Sequence, residues 1–288
     1  MFGNIEKRAF LLRPIKKLLR KICFNRLPAS VRRTLIRSSL PEFHLDLQGI
    51  VFRPAMSFDD YIKAFRLLHD VYVDAGYIDP APSALRIVPH HSHPESRVFL
   101  GCRLTSGGQR IPVYTISLFP DSDQGLPMDV AFKDPLDDLR GKGRNIAEVG
   151  CMAANPAYKK GDMNIPMLGN RIIHQYASQY LDIDDLVITV HPRFQWVYED
   201  VLLFERIGAV DAYPYVRGNP AVALRMDLKT ARERYKKSYS RMPSRKNLYR
   251  YFFCDDCPSI VLLDCVRDNT TANNLFVCHL VSDIKKTG

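Results

Sequence analysis

The sequence predicts an α/β fold, a mixed β-sheet with a parallel portion and helices packed on it. Three observations predict it. Strand-like segments alternate with segments of helical periodicity over most of the chain. The segments 98–104 and 111–119 are joined by Ser106-Gly107-Gly108 and read as a hairpin, whereas the later strands are separated by helix-length segments. The stretch 147–180 runs from a short apolar strand bearing one carboxylate, Glu148, through the strand-stopping Asn155-Pro156 into a helix. That helix repeats Met167, Leu168, Ile172, Ile173, Tyr176, Ala177 and Tyr180 at helical spacing. A strand that breaks and feeds a helix exposes backbone N–H groups at the break and at the helix start. Such groups can hold a phosphate or a developing oxyanion.

Taken in order, residues 5–38 read as two short basic helices divided near Leu27-Pro28. Ile5, Phe10, Leu11, Ile15, Leu18, Leu19 and Ile22 form a stripe suited to an interfacial helix, to docking on an acidic carrier, or to packing on the main body. Gly49 to Met56 is a strand. Ser57-Phe-Asp-Asp caps the next helix, which carries Phe58, Ile62, Phe65, Leu68 and Tyr72 and stops near Gly76. Arg66, His69 and Tyr72 stand on successive turns; Arg66 and Tyr72 are candidate substrate contacts, a packed tyrosine with solvated neighbours being the plain alternative. Pro89-His-His-Ser-His-Pro lacks zinc-site spacing, so no metal is expected there.

Pro120 to Asn145 reads as a long connection with one helical turn at 135–139. Because it ends on the Glu148 strand, it is expected to act as a functional lid. Leu186 to Val190 is a buried strand ended by His191-Pro192. Arg193 to Ile207 then reads as a helix capped by Gly208, and Ala221 to Met226 as the last strand of the body. A basic helix, 230–239, leads to a tail with Cys254-Asp-Asp-Cys257, Cys265 and Cys278-His279. Its second cysteine pair lacks matching spacing, so reduced structural cysteines are expected rather than zinc. The domain expectation is thus a basic extension over 1–47, a catalytic body over 48–228 and a C-terminal extension over 229–288 packing on the core.

Totals narrow the function. Seven cysteines scattered over 288 residues do not form a disulfide framework and suit a reducing, cytoplasmic setting. No apolar run approaches the roughly 20 residues of a membrane-spanning helix. The N-terminus has no secretory pattern. Charge is uneven: residues 1–40 hold eleven Lys/Arg against one acid, and residues 229–250 hold nine against one. The body between them is acidic, with 18 basic residues against 24 acidic ones. Basic flanks call for an acidic partner: an anionic membrane, a carrier protein or nucleic acid. No nucleic-acid reading motif accompanies the charge, so nucleic acid is not expected. With no Gly-x-Gly-x-x-Gly and no Gly-Lys-Ser/Thr, dinucleotide and P-loop chemistry lose support.

Several runs carry a family likeness: Thr-Ile-Ser-Leu-Phe-Pro-Asp-Ser (115–122), Gly-Leu-Pro-Met-Asp (125–129), Leu-Asp-Asp-Leu-Arg (136–140) and Gly-Arg-Asn-Ile-Ala-Glu-Val (143–149). His191-Pro-Arg with Tyr198, and Asn247-Leu-Tyr-Arg-Tyr-Phe-Phe, continue it. Over about residues 48–255 the chain resembles the bacterial long-chain N-acyl amino acid synthases. These have the three-layer acyl-CoA N-acyltransferase (GNAT) fold and are related to autoinducer synthases. The resemblance implies transfer of a fatty acyl group from an acyl-carrier-protein thioester, or from acyl-CoA, to the α-amine of an amino acid. No tightly bound cofactor is implied; the donor is an acyl-phosphopantetheine.

The residues can be read for that job. Amide formation from a thioester needs a neutral amine, a stabilised oxyanion and a protonated leaving sulfur. Glu148 is the candidate general base, with a structural ion pair as the alternative. Backbone N–H groups near Met152 and Ala153 are the candidate oxyanion donors. Tyr198 is the candidate acid for the departing sulfur, or a packed tyrosine. Arg193 is a candidate carboxylate contact. Two departures stand out. Where relatives often show an arginine after Glu-Val, this chain has Gly150-Cys151-Met152. Cys151 has no evident activating partner in the sequence, so direct attack by the amine is expected, with Cys151 at most lining the substrate site. The loop that grips the coenzyme A pyrophosphate is reduced to Tyr158-Lys-Lys-Gly-Asp-Met. Lys159, Lys160 and Gly161 are therefore assigned to a phosphopantetheine on an acidic carrier. An acyl-homoserine-lactone-type synthase, and a degenerate fold that binds a carrier or a membrane without turnover, are the competing readings. Peripheral contact with the inner membrane face through residues 1–40 is a further expectation.

Overall fold

A computed structural model describes residues 27–47, 49–158 and 163–254. The first basic helix, the carrier-loop residues Lys159, Lys160 and Gly161, and the tail cysteines beyond Cys254 lie outside the described residues. The elements in order are α1 (Ala29–Ser38), β1 (Ile50–Pro54), α2 (Phe58–Asp74), β2 (Arg97–Leu104), β3 (Arg110–Pro120), α3 (Asp129–Gly141), β4 (Ile146–Ala154), α4 (Asn164–Tyr180), β5 (Asp185–Val190), β6 (Glu205–Tyr213), β7 (Asn219–Asp227), α5 (Leu228–Tyr239) and α6 (Leu248–Phe253).

The strands form one seven-stranded sheet in the order β1-β2-β3-β4-β5-β7-β6. Every neighbouring pair is antiparallel except β4 and β5, which run parallel. A parallel pair needs a crossover, and α4 supplies it. Helices cover both faces. α1, α4, α5 and α6 share a core with Phe52, Phe99, Ile116, Leu118, Ala147, Val149, Ile188 and Leu224. On the other face α2 packs Tyr61, Ala64 and Phe65 on Val98 and Leu100, and α3 packs Phe132, Leu136 and Leu139 on Ile146 and Val187. α4 lies so close to the sheet that a Cβ at Gly169 would sit 2.4 Å from the Tyr114 ring, so only glycine fits there.

Local chemistry explains most boundaries. Ser57 Oγ accepts from the Asp60 N–H at 3.2 Å, and the Asp60 carboxylate accepts from the Ser57 N–H, a capping box that starts α2. The closed end of the β4/β5 pair is a buried charge cluster. Asp185, fully buried, accepts from Arg144 Nε at 2.6 Å and from Arg225 Nη2 at 2.7 Å.

Two expectations are corrected. The connection 120–145 is not a mostly irregular loop: 129–141 is helical, kinked at Phe132, and Pro135 sits in the first turn after the kink. Residues 193–207 do not form one helix either. A 3₁₀ turn at Pro192–Phe194 and a π turn at Val197–Val201 are followed by β6, with Gly208 inside the strand at a register shift. Trp196, Val197, Val201, Leu202 and Phe204 mimic a helical stripe because they pack from a turn. β6 is a sheet edge whose residues are largely outside the core, so it lacks the apolar alternation of a buried strand.

Candidate active site

β4 and β5 are hydrogen-bonded only from Ile146↔Asp185 to Val149↔Ile188. Beyond Val149 the two strands separate, and the β5 side of β4 carries no ladder among the described residues. Parallel strands that part at their carboxyl ends leave a crevice with free backbone groups, the usual place for a ligand in such a sheet. On its other side β4 is irregular: Ser117 faces Gly150 and Thr115 faces Ala153, so Ile116 opposes both Cys151 and Met152. This is a β-bulge, and Cys151 within it has φ 51°, a left-handed conformation costly for a non-glycine residue. The bulge breaks the strand's alternation at Cys151 and Met152, which pack against different clusters.

Glu148 lies two residues before the bulge and is 3% exposed. Its Oε2 accepts from the Met128 N–H at 2.7 Å. Its pKa is pushed up to about 8; burial is the largest cause, the Met128 N–H opposes it, and the Asp129 charge adds to it. A Cβ at Gly150 would lie 3.3 Å from the Phe119 ring and 3.8 Å from Glu148 Oε1, so glycine keeps the carboxylate's flank open. The familial runs explain what holds Met128 in place. Arg140 donates to Asp121 (Nε, 2.7 Å) and to Asp129 (Nη2, 2.6 Å), and Asp129 accepts from the Leu126 N–H at 2.6 Å. The 115–122, 125–129 and 136–140 runs therefore build one clamp that presents an N–H to the carboxylate of the 143–149 run. Lid-like behaviour is not needed for that role; the connection is a brace.

Tyr198 occupies the π turn after β5. Its O–H donates to Met152 Sδ at 3.7 Å and its ring stands edge-on to Phe204 at 5.5 Å. Burial raises its pKa, so the hydroxyl stays protonated. The carbonyls left open by the turn are taken by other elements. Tyr239 Oη donates to Val201 O (2.6 Å), Tyr235 Oη to Leu202 O (2.7 Å) and Arg37 Nε to Asp200 O (2.8 Å). The basic helices α1 and α5 thus fix the loop that carries Tyr198.

Tyr72 packs with Leu67, Leu68, Ala153 and Cys151, and stands edge-on to Tyr77 at 5.6 Å. Arg193 is exposed; its Nη2 donates to Tyr77 Oη at 2.9 Å and its guanidinium lies 4.7 Å over Phe194. The Cys151 thiol is pushed up to about 12, by burial first and by Glu148, with Arg86 opposing, so it is held as the thiol. The structure therefore brings Glu148, Cys151, Met152, Tyr198 and Tyr72 around the β4 bulge, with Arg193 at the rim through Tyr77. Arg66 is exposed on α2, on the turn before the buried His69, and contacts none of them. His69 Nε2 accepts from the Ala81 N–H at 3.1 Å and pins the loop after α2.

Sequence reasoning missed Met128, Arg86, His91 and Ser117. The His91 ring is buried between Phe65 and Phe119, accepts from the Val88 N–H through Nδ1 at 3.0 Å and meets Ser117 Oγ through Nε2 at 3.1 Å. Both ring nitrogens are thus engaged, and the ring pins the loop to β3; among the described residues no group of three or more acidic, His or Cys side chains converges as a metal site. Arg86 lies in a loop with no periodicity to signal a role. Likewise, among the described residues no helix is long and apolar enough to cross a membrane.

Comparison with known proteins agrees with this architecture. The family model for the N-acyl amino acid synthase FeeM matches residues 63–227. The solved structure of FeeM, an N-acyl amino acid synthase from uncultured soil microbes, is 27% identical with a TM-score of 0.54, covering 64% of this chain and 93% of that one. The AHL synthase LasI is 17% identical with a TM-score of 0.43, over 63% of this chain and 91% of that one. A search of curated protein sequences finds no match. A GNAT-like sheet, a parallel pair that splays at a bulge, and a family match over more than half of the chain agree: this chain belongs to the FeeM family of N-acyl amino acid synthases and is an N-acyltransferase.

Proposed function

We propose that the enzyme moves a long-chain fatty acyl group from the phosphopantetheine thioester of an acyl carrier protein to the α-amine of an amino acid, with Glu148 as general base. The observation that carries this reading is a carboxylate sealed from water, with its pKa near 8, two residues from a bulged strand edge. A base titrating near the working pH combines a useful deprotonated fraction with real basicity. The thioester lies in the β4/β5 crevice, its carbonyl oxygen on the Met152 backbone N–H. The amine nitrogen attacks that carbon, and its excess proton passes to Glu148, directly or through a water. As the tetrahedral intermediate collapses, the C–S bond breaks and the sulfur takes the Tyr198 proton. The amide leaves with the acyl group, and the proton taken up by Glu148 is passed back through water to the Tyr198 phenolate, which restores both groups for the next turnover. Cys151, held as a thiol, forms no acyl-enzyme.

A carrier donor is favoured over free coenzyme A by two features. The sequence lacks a complete pyrophosphate loop and offers Lys159 and Lys160 beside Gly161. α1 and α5 hold Arg32, Arg33, Lys229, Arg232, Lys236 and Lys237, a basic surface an acidic carrier can meet. Contact of residues 1–40 with an anionic membrane belongs to the same proposal. Purified protein incubated with acyl-loaded carrier or acyl-CoA and a mixture of the twenty amino acids is expected to yield N-acyl amino acids by mass spectrometry, faster with the carrier. A lactone product, or carrier binding without turnover, would replace this reading with one of its competitors.

Tyr198→Phe tests the acid. It keeps the ring against Phe204 and loses only the hydroxyl, so kcat is expected to fall about 10²-fold with KM little changed. If kcat is unaffected, the sulfur leaves without help from Tyr198.

A further inference from the structure

We propose that Arg86 binds the α-carboxylate of the acceptor, so that an amino acid spans the site with its amine toward Glu148 and its carboxylate on Arg86. The proposal rests on the reading that the acceptor is an amino acid. It begins from how Arg86 is paired. Several arginines on the body of the fold are tied to carboxylates: Arg53 and Arg110 to Asp60, Arg140 to Asp121 and Asp129, Arg144 and Arg225 to Asp185. Arg86 is half-buried and has no carboxylate within ion-pair distance among the described residues. Its Nη2 donates to the Tyr215 carbonyl at 3.2 Å, and its guanidinium lies 6.0 Å over the Tyr215 ring. Its Nε–H is buried without an acceptor. A buried donor left unpaired costs about 1–3 kcal/mol, and an arginine fork matches a carboxylate in shape and charge.

The position of Arg86 is set by the site itself. Its backbone N–H donates to Phe65 O on α2 at 3.1 Å. Two residues on, Val88 is held by His91, which is held by Ser117, and Ser117 faces Gly150 across the β3/β4 ladder. The loop that carries Arg86 is therefore tied to the strand pair bearing Glu148 and Cys151. Tyr215, on which Arg86 rests, packs into the cluster containing Phe119, Met128 and Cys151. The same side chains feel both ends of the site: the Glu148 charge raises and the Arg86 charge lowers the pKa of Cys151 and of Tyr215. A cation and a carboxylate flank these two residues, which is the polarity that a free amino acid, with one ammonium and one carboxylate, complements. Arg193, the earlier candidate, is committed to Tyr77 at the rim and exposed.

The test separates this proposal from the reading beneath it. Acylation rates are measured for free amino acids and for their primary amides, which keep the amine and lose the negative charge. In parallel, saturation-transfer NMR measures binding of the same compounds without donor. The wild-type enzyme is expected to prefer the free acid by about 10- to 100-fold, mostly in KM. Arg86→Met should reduce that preference to near unity, and Arg86→Lys, which keeps the charge without the fork, should restore part of it. Turnover of amides as efficient as of free acids, or a preference untouched in Arg86→Met, overturns the proposal while leaving the synthase reading intact. Free amino acids that bind, lose binding in Arg86→Met, and are never acylated uphold the proposal and remove the synthase reading. A wild-type enzyme that binds no free amino acid overturns it directly. Should Arg86→Met not fold, the Arg86→Lys comparison decides alone: an unaltered acid-over-amide ratio there counts against the assignment.

Discussion

Glu148→Gln is expected to lower kcat by about 10²- to 10⁴-fold, the range for loss of a positioned base, while the fold persists. The amide oxygen of glutamine can still accept from the Met128 N–H that Glu148 meets at 2.7 Å. The pH profile is the sharper measurement. A base must be unprotonated to act, so wild-type kcat rises with pH and levels off above about 8, where Glu148 titrates. In the variant that limb disappears and only the ionisation of the acceptor amine shapes the profile. Stability moves the opposite way. Glu148 ionises near 4.5 when unfolded and near 8 when folded. Below 4.5 both states are neutral and the residue costs nothing. Between 4.5 and 8 the unfolded chain loses a proton that the folded one keeps, so stability falls as pH rises, and above 8 the deficit is constant. With about 1.4 kcal/mol per pH unit, the deficit is on the order of a few kcal/mol. Glu148→Gln should therefore be more stable than wild type at pH 8 and equal to it at pH 4. A fully active variant, or one that keeps the limb near pH 8, would show that another group is the base. A gain in stability with a loss of rate is the trade expected of a strained active-site charge.

The sequence made the framework legible because its signals were local. Ser57 and Asp60 three positions apart announce a capped helix, Ser106-Gly-Gly announces a hairpin, and Asn155-Pro156 announces the end of the Glu148 strand, all of which the fold contains. The α/β class followed from the order of those elements, and the GNAT-like form from the resemblance carried by the runs between 115 and 149. What was not legible depends on distant partners. Nothing near Met128 says that its N–H will meet a carboxylate twenty positions on, since the clamp that places it needs Asp121, Asp129 and Arg140 to converge. The π turn at 197–201 was read as helix because its carbonyls are satisfied by Tyr235 and Tyr239 from a helix later in the chain, a compensation invisible to periodicity. Arg86 was passed over for the converse reason: its proposed role rests on an unpaired Nε–H and on the lack of a carboxylate partner among the described residues, which only a folded neighbourhood can reveal.

The second large effect concerns the closed end of the crevice. The gap between β4 and β5 has a fixed width only if the strands are locked where they still pair, and the first pair there is Ile146 with Asp185. Asp185 is fully buried and takes Arg144 Nε at 2.6 Å and Arg225 Nη2 at 2.7 Å, while Asp227 assists from 3.0 Å to Arg144 and 3.5 Å to Arg225. Asp185→Ala leaves two partly buried guanidiniums sharing one peripheral carboxylate. Breaking a buried ion cluster from one side costs about 3–5 kcal/mol, so thermal unfolding should come roughly 10 °C earlier. The cost arises from the orphaned charges, not from the loss of an attractive pair as such. Asp185→Leu combined with Arg144→Met and Arg225→Met should therefore recover much of the stability that Asp185→Ala alone loses. Activity discriminates further. If the cluster sets the spacing of the splayed strands, the triple variant regains its melting temperature but not its kcat/KM. Equal recovery of both would mean that the packing of Val149 and Ile188 fixes the crevice and that the charges only stabilise its floor.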